Sequence, residues 1–374
     1  MSLDTAYLSP GPLSPGPRTR RSSTPTPTDL LPTPDELRAQ LPLSAVARKT
    51  TAKARRDIAQ ILNGEDDRLV VITGPCSVHD PEAALDYAAR LTALAEETRD
   101  QLLLVMRVYV EKPRTRTGWK GLLSDPQLDG THDLPGGLRL ARGLMARITD
   151  SGLPVACEFL DPLVPSYLAD AVSWGAIGAR TVQSQVHRQM TSGLEMPIGF
   201  KNTTGGGVAD AVDAIVSAAG AHVFPGLDGD GRAVVTTTRG NPHGHVVLRG
   251  GGDGPNYGRG PVADALARLA EAELPQQLIV DASHGNSNKD HERQPLVITD
   301  LAQRIAAGER GVAGVMIESF LAPGRQNLPL GRTDRLTYGQ SVTDACVDWT
   351  TTIGMVQGLA DAVTARREGV RVAG

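Results

Sequence analysis

From residue 69 onward the sequence alternates two textures, and no other feature restricts its fold as sharply. Short runs rich in Val, Ile and Leu lie at residues 69–73, 102–110, 154–159, 176–181, 197–201, 245–249, 277–281 and 312–318. Such runs, apolar at every position rather than every second one, suit strands buried on both faces. Longer Ala- and Leu-rich stretches of helical period lie between them, at 81–97, 138–150, 164–174, 208–219, 262–273, 296–307 and 348–367. Asp80 before Pro81 is a good N-cap with proline at the first helical position. Eight strands, each followed by a helix or helical turn, predict a (β/α)8 TIM barrel. An extra strand pair is expected at 223–238, before the sixth barrel strand. The competing fold is an open doubly wound sheet, but no G-x-G-x-x-G fingerprint follows the first strand.

Upstream, residues 1–35 hold eight of the 26 prolines, mixed with Ser, Thr and Gly. They cannot bury enough apolar surface to order themselves and are expected to form a disordered Pro-rich tail. A helix with one apolar face is expected at 44–62. The expected organisation is therefore a tail at 1–35, a helical extension at 36–68 and a catalytic barrel at 69–374. With 38 basic and 42 acidic side chains, the chain lacks the basic excess of a nucleic-acid or membrane-surface binder. Its apolar runs are strand-sized, far short of the roughly 20 residues of a membrane helix. The start has no secretory-signal pattern. Cys76, Cys157 and Cys346 are odd in number and widely spaced, which suits a reducing, cytoplasmic setting.

Polar residues gather where the strands run out. The first strand ends in Gly-Pro-Cys76-Ser-Val-His79, and the second carries Arg107 into Glu111-Lys112-Pro113-Arg114-Thr115. The third ends in Cys157-Glu158, the next three in Arg180, Lys201 and Arg249, the seventh in Asp281-Ala-Ser-His284 and the eighth in Glu318. A barrel turns all of these ends onto one face, where active sites form. Any one of these cations is as easily a surface ion pair. Together, Arg107, Lys112, Arg180, Lys201 and Arg249 around one mouth repel one another and call for a polyanionic guest. The Gly205-Gly206-Gly207 run lacks the lysine-hydroxyl ending of a phosphate loop and reads mainly as a helix-entry turn.

Cys76, His284 and Glu318 end three consecutive strands of a closed barrel, and Asp344 precedes the last helix. Thiolate, imidazole and two carboxylates suit Mn²⁺, Fe²⁺, Co²⁺ or Zn²⁺ better than Mg²⁺ or Ca²⁺. A packed thiol and a hydrogen-bonded histidine are the plainer readings of Cys76 and His284, and only the barrel unites the four. His79, by its C-x-x-H spacing, is a weaker ligand candidate.

At this point the runs carry a resemblance. Residues 74–81 (Gly-Pro-Cys-Ser-Val-His-Asp-Pro), 106–115 (Met-Arg-Val-Tyr-Val-Glu-Lys-Pro-Arg-Thr), 175–180 (Gly-Ala-Ile-Gly-Ala-Arg) and 199–202 (Gly-Phe-Lys-Asn) resemble class I 3-deoxy-D-arabino-heptulosonate 7-phosphate (DAHP) synthases. So do 248–251 (Leu-Arg-Gly-Gly), 283–290 (Ser-His-Gly-Asn-Ser-Asn-Lys-Asp), 314–319 (Gly-Val-Met-Ile-Glu-Ser) and 341–346 (Ser-Val-Thr-Asp-Ala-Cys). The resemblance runs from about residue 45 to 368, in order and with few gaps. It implies a metal-dependent condensation of phosphoenolpyruvate, erythrose 4-phosphate and water to DAHP and phosphate, the first step of the shikimate pathway. The implied metal ligands are Cys76, His284, Glu318 and Asp344. The implied phosphoenolpyruvate contacts are Arg107, Lys112, Glu158, Arg180, Lys201 and Arg249, and the erythrose 4-phosphate contacts are Pro113, Arg114, Thr115 and Asp344. Glu158, Lys112 and His284 are the implied catalytic groups, the last two as alternative proton donors. Cys346 is expected near the metal, as a packed thiol or as a partner for Cys76 once metal is lost.

Relatives are often homodimers or homotetramers inhibited by an aromatic amino acid. The pocket implied for that effector lies near residues 161–166, 187–195 and 224–228. Gly226 is similar to tyrosine-inhibited members, whereas Glu195 replaces a small residue and is expected to repel the effector's carboxylate. Weak or absent inhibition is therefore expected, with tyrosine the favoured effector. The nearest rival is a synthase of an eight-carbon sugar acid, which would share the barrel and cations; the Lys112–Thr115 run favours the four-carbon acceptor. Only six of the 38 basic residues are lysines, and two of them, Lys112 and Lys201, fall in the cation set.

Overall fold

The structure, a computed structural model, describes residues 30–373. Eight strands close a parallel barrel: β1 (Leu69–Gly74), β2 (Leu102–Arg107), β3 (Val155–Glu158), β4 (Trp174–Ile177), β5 (Ile198–Lys201), β8 (Gly244–Leu248), β9 (Leu278–Asp281) and β10 (Val312–Glu318). The barrel seam is β1 against β10, in a register that pairs Gly74 with Glu318. That register sets the carboxylate of Glu318 beside the turn that carries Cys76. Gly314 permits the close approach, since a Cβ there would stand 2.4 Å from the Val70 carbonyl oxygen.

Both faces of each strand are buried, which explains the unbroken apolar runs. Val70, Ile72, Val105, Trp174, Val247, Ile279 and Met316 point into the barrel and form one core. Their neighbours Leu69, Val71 and Leu104 point outward and join the larger core beneath the helices. Trp174 fills the barrel interior, fully buried, with its indole nitrogen 3.1 Å from His245 Nε2.

The helices around the barrel are α3 (Pro81–Thr98), α4 (Leu134–Asp150), α5 (Pro165–Leu168), α6 (Gln185–Thr191), α7 (Ala209–Ala219), α8 (Arg259–Glu271), α9 (Gln294–Ala306) and α10 (Trp349–Ala373). Asp80 caps α3 as the sequence indicates, accepting from the amides of Glu82 and Ala83. An antiparallel hairpin, β6 (Val223–Leu227) and β7 (Ala233–Thr237), precedes the sixth barrel strand, also as expected. Ahead of the barrel come α1 (Pro34–Gln40) and α2 (Ala45–Leu62), and Ile58, Ile61 and Leu62 of α2 belong to the core that fills the barrel's interior. Among the described residues no helix is long and apolar enough to cross a membrane.

The second strand, expected to residue 110, stops at Arg107, the helix α6 was not expected, and the structure differs from the sequence expectation in three further places. The Pro-rich tail expected to residue 35 lies mostly outside the described residues, but its last part is ordered. Thr33 and Glu36 form a reciprocal capping box with Pro34 at the first helical position, so α1 begins there. The helix expected at 164–174 is only α5 and a 3-10 turn, Ala169–Ala171, because the chain turns extended at Val172 to put Trp174 in the barrel. The fourth strand therefore runs Trp174–Ile177, and Arg180 lies three residues beyond it rather than at its end.

Candidate active site

The barrel strands and the loops that follow them bring polar side chains to the same end, and one cleft of about 690 Å³ collects most of them. Its lining includes Arg107, Lys112, Arg180, Lys201 and Arg249, the whole cation set read from the strand ends. Glu158, Pro113, Arg114, Thr115, His284, Glu318 and Asp344 line the same cleft. The five cations are not neutralised alike. Arg107, fully buried, pairs with Glu318 at 3.0 Å, and Lys201 lies 3.5 Å from Asp281. Arg180 instead donates to the Thr115 hydroxyl at 3.0 Å, and Arg249 to the Gly250 carbonyl at 3.2 Å. Of these five cations, Arg180 and Arg249 thus have no carboxylate ion pair among the described residues.

Facing them is a donor cluster. The Cys76 thiol and the carboxylates of Glu318 and Asp344 each place a ligand atom within 4.8 Å of the others. His284 stands at the cluster's edge, its Nε2 3.6 Å from Glu318 Oε1. The chemistry of this set fits a borderline divalent cation. The Lys112 ammonium sits 2.7 Å from Cys76 Sγ and 3.0 Å from Asp344 Oδ2, a positive charge already drawn to two of the donors.

Electrostatics follow from burial and these neighbours. Burial, seconded by Glu318, pushes the Cys76 thiol up to about 12. Burial opposes charge on Lys112, but Cys76, Asp344 and Glu318 outweigh it and hold the ammonium protonated. Burial likewise opposes ionising Glu318, yet His284, Arg107 and Lys112 keep its carboxyl below the usual range. Asp281 behaves in the same way, held ionised against burial by His284 and Lys201.

The loops that carry these groups are tied together by amides. Asn202, after Lys201, accepts the Arg249 amide proton at 2.7 Å and a bond from Asn256 Nδ2 at 3.2 Å. Asn256 in turn accepts from the Gly250 amide at 2.7 Å and gives its own amide proton to Asn286 at 2.7 Å. Asn286 donates to the carbonyls of Leu248 and Asp281 at 3.1 and 2.9 Å. Buried amides satisfied this fully lock the ends of β5, β8 and β9 relative to one another. Gly250 belongs to the same device: its φ is +66°, and a Cβ there would come within 2.5 Å of the Gly285 backbone.

Sequence reasoning missed Tyr109. Arg107 lies 4.0 Å and Lys201 5.8 Å from its ring centroid, so two cations of the cleft share one aromatic ring. The signal was available, since Tyr109 follows Arg107 at the two-residue spacing of one strand face. His79 does not join the donor cluster. It is buried with its ring 6.1 Å from that of Phe320, and burial pushes it down to about 4. Gly205 to Gly207 form the turn before α7, as expected.

A separate cavity of about 420 Å³ is lined from the three segments named for an effector, including Leu163, Ser166, Met190, Glu195, Phe224 and Gly226. Glu195 does not confront this cavity as a bare charge. It pairs with Arg55 at 2.7 Å, with its side chain mostly in solvent.

The DAHP synthetase I family matches this chain over residues 44–357. The Phe-sensitive phospho-2-dehydro-3-deoxyheptonate aldolase of Escherichia coli is 50% identical over 339 residues, covering 91% of this chain and 96% of that protein. The Tyr-sensitive enzyme of Salmonella typhimurium is 49% identical over 332 residues, covering 89% and 93%. A solved phospho-2-dehydro-3-deoxyheptonate aldolase from Francisella tularensis superimposes with a TM-score of 0.89 at 46% identity, covering 92% of this chain and 99% of that one.

Proposed function

The chain belongs to the DAHP synthetase I family, and from that premise we propose that it condenses phosphoenolpyruvate with erythrose 4-phosphate and water to give DAHP and inorganic phosphate. The observation that carries this reading is the cleft itself, in which five cations face a Cys/Glu/Asp donor cluster. Arg180, Lys201 and Arg249 hold the phosphate of phosphoenolpyruvate, and Arg107 and Lys112 hold its carboxylate. Pro113, Arg114 and Thr115 seat the acceptor. Thr115 is hydrogen-bonded to Arg180, so the two substrate seats touch.

Cys76, His284, Glu318 and Asp344 would hold a divalent Mn, Fe, Co or Zn ion, which supplies Lewis-acid polarisation of the acceptor's aldehyde oxygen. Holding two anions in register lowers the barrel's chemistry to an effectively unimolecular step. The enol carbon attacks the aldehyde carbon, forming the new carbon–carbon bond, and positive charge develops on the enol's oxygen-bearing carbon. Glu158, a buried carboxylate in the cleft, steadies that charge and the water that captures it. The hydrated carbon then expels inorganic phosphate. Lys112 gives a proton to the new alkoxide. His284 is the lesser candidate, because its two ring nitrogens face Glu318 and Asp281.

Aromatic amino acids, tyrosine first, are the effectors proposed for the second cavity. Homodimers or homotetramers are the proposed assembly, supported by the exposed Val216, Val223 and Val235 on and beside the hairpin. The activity is tested by phosphate release with erythrose 4-phosphate and with arabinose 5-phosphate, each with and without a chelator. Chelator-sensitive turnover of the four-carbon acceptor is expected. Preference for the five-carbon acceptor would move the chain to the eight-carbon synthases.

A further inference from the structure

Asp281 is the last residue of β9, wholly buried beneath the cleft. Its Oδ1 accepts the Ser283 amide proton at 3.0 Å. Its Oδ2 lies 2.9 Å from His284 Nδ1 and 3.5 Å from Lys201 Nζ, and has no aligned hydrogen bond. The contact with His284 is therefore one of charge and proximity. A buried carboxylate is expensive unless its neighbours answer it, and the two nearest, the Lys201 ammonium and the His284 imidazole, both line the cleft.

The surroundings fix which way the imidazole points. His284 sits at a φ of +55°, a left-handed backbone rare for a residue with a side chain. The Ser283 hydroxyl accepts the His284 amide proton at 2.6 Å, donates to Glu318 Oε2 at 2.8 Å and lies 3.2 Å from His284 Nδ1, so it shares that nitrogen with Asp281. Asn286 holds the Asp281 carbonyl at 2.9 Å. With Nδ1 turned toward Asp281, Nε2 is left facing Glu318 and the donor cluster.

The geometry points to Asp281 as a positioning residue that fixes the ring of His284 with Nε2 toward the metal, while Lys201 balances its charge. This rests on His284 being a metal ligand. A carboxylate behind a ligating imidazole sets its tautomer and raises its basicity, and losing such a partner weakens metal affinity by about 10- to 100-fold.

The test is Asp281→Asn in the full-length chain, which keeps the shape and removes the charge. Metal-stripped protein is titrated with Co²⁺ and followed by visible absorption, and phosphoenolpyruvate KM is measured at saturating Co²⁺. Co²⁺ affinity should fall about 10- to 100-fold with an altered spectrum, while KM stays within about threefold. A merely structural role would instead disturb both. Co²⁺ affinity within about threefold of wild type, with the same spectrum, overturns the inference. Failure of the wild-type protein to bind Co²⁺ would overturn the metal-site reading beneath it, so the two failures are distinct. Should Asp281→Asn not fold, the ring nitrogens of the zinc-loaded wild type decide by ¹⁵N-histidine NMR. His284 protonated at Nδ1 and metal-bound at Nε2 is expected, and coordination through Nδ1 overturns the inference.

Discussion

Lys112 neighbours two proposed metal ligands, besides its proposed roles as carboxylate grip and proton donor, and one substitution separates the first from the other two. Its ammonium contacts Cys76 Sγ at 2.7 Å and Asp344 Oδ2 at 3.0 Å, so without metal it competes for two of the proposed ligands. In the proposed reaction it also grips the carboxylate of phosphoenolpyruvate. Lys112→Met keeps the length and apolar stem but removes the charge. The fold should tolerate this. The Asp344 side chain is 55% exposed and stays solvated, while the buried thiol, at about 12, stays neutral. The stability cost is on the order of 1 kcal/mol, that of one ordinary hydrogen bond. Losing a charge-assisted substrate contact costs about 1.5–3 kcal/mol, or roughly a 10- to 150-fold rise in phosphoenolpyruvate KM. Metal affinity moves the other way, because the competing cation is gone. Calorimetric titration of metal-stripped protein with Mn²⁺, beside steady-state kinetics, reads both. Mn²⁺ affinity equal to or tighter than wild type, with the raised KM and a lowered kcat from the lost proton donor, is expected. Weakened Mn²⁺ binding with an unchanged KM would refute the reasoning.

Three further outcomes follow. Cys76→Ala removes one buried atom, costing about 1 kcal/mol of a stability of roughly 5–15, so the fold survives while metal-dependent turnover is lost; normal activity of that variant in a metal-replete assay would contradict the ligand assignment. Burial pushes Glu111 up from 4.5 to about 8 although it accepts the amides of Leu160 and Asp161, so the folded chain holds an extra proton between those values and loses stability as pH rises through them. Glu111→Gln should flatten the decline of the thermal midpoint between pH 5 and pH 8, and parallel curves for the two proteins would refute the burial argument. Cys346 Sγ lies 3.4 Å from the Cys76 amide, and all three cysteines are free, so thiol counting after oxidation should find three with metal bound and one after stripping; three in both states would show that the pair does not close.

What the sequence revealed and what it hid have the same physical cause. Strands buried on both faces write themselves as continuous apolar runs, so β1, β5, β9 and β10 were legible almost to the residue. The fourth strand was misjudged because Gly178 and Ala179 extend the apolar run without extending the ladder; Gly178 is where Glu158 Oε1 crosses, 2.3 Å from any Cβ. Helix α6 is seven residues long and polar, too short for its period to show. The cation set was readable because charge at the end of an apolar run is conspicuous. The relation of Asp281 to His284 was not, since it depends on a ring orientation that neighbouring loops impose. Tyr109 passed for one more strand residue because aromatics are common in strands. The Arg55 partner of Glu195 was not readable, since it lies 140 positions away in sequence.

The central claim is that this cleft joins a three-carbon enol phosphate to a four-carbon aldose phosphate. It is tested most directly by incubating the full-length protein with ¹³C-labelled phosphoenolpyruvate, erythrose 4-phosphate and Mn²⁺, and following the carbons by NMR. The account predicts a seven-carbon product, with the enol methylene carbon bonded to the former aldehyde carbon and one inorganic phosphate released per bond. Phosphate release without that carbon–carbon bond, or unreacted label in the presence of both substrates and metal, would contradict it.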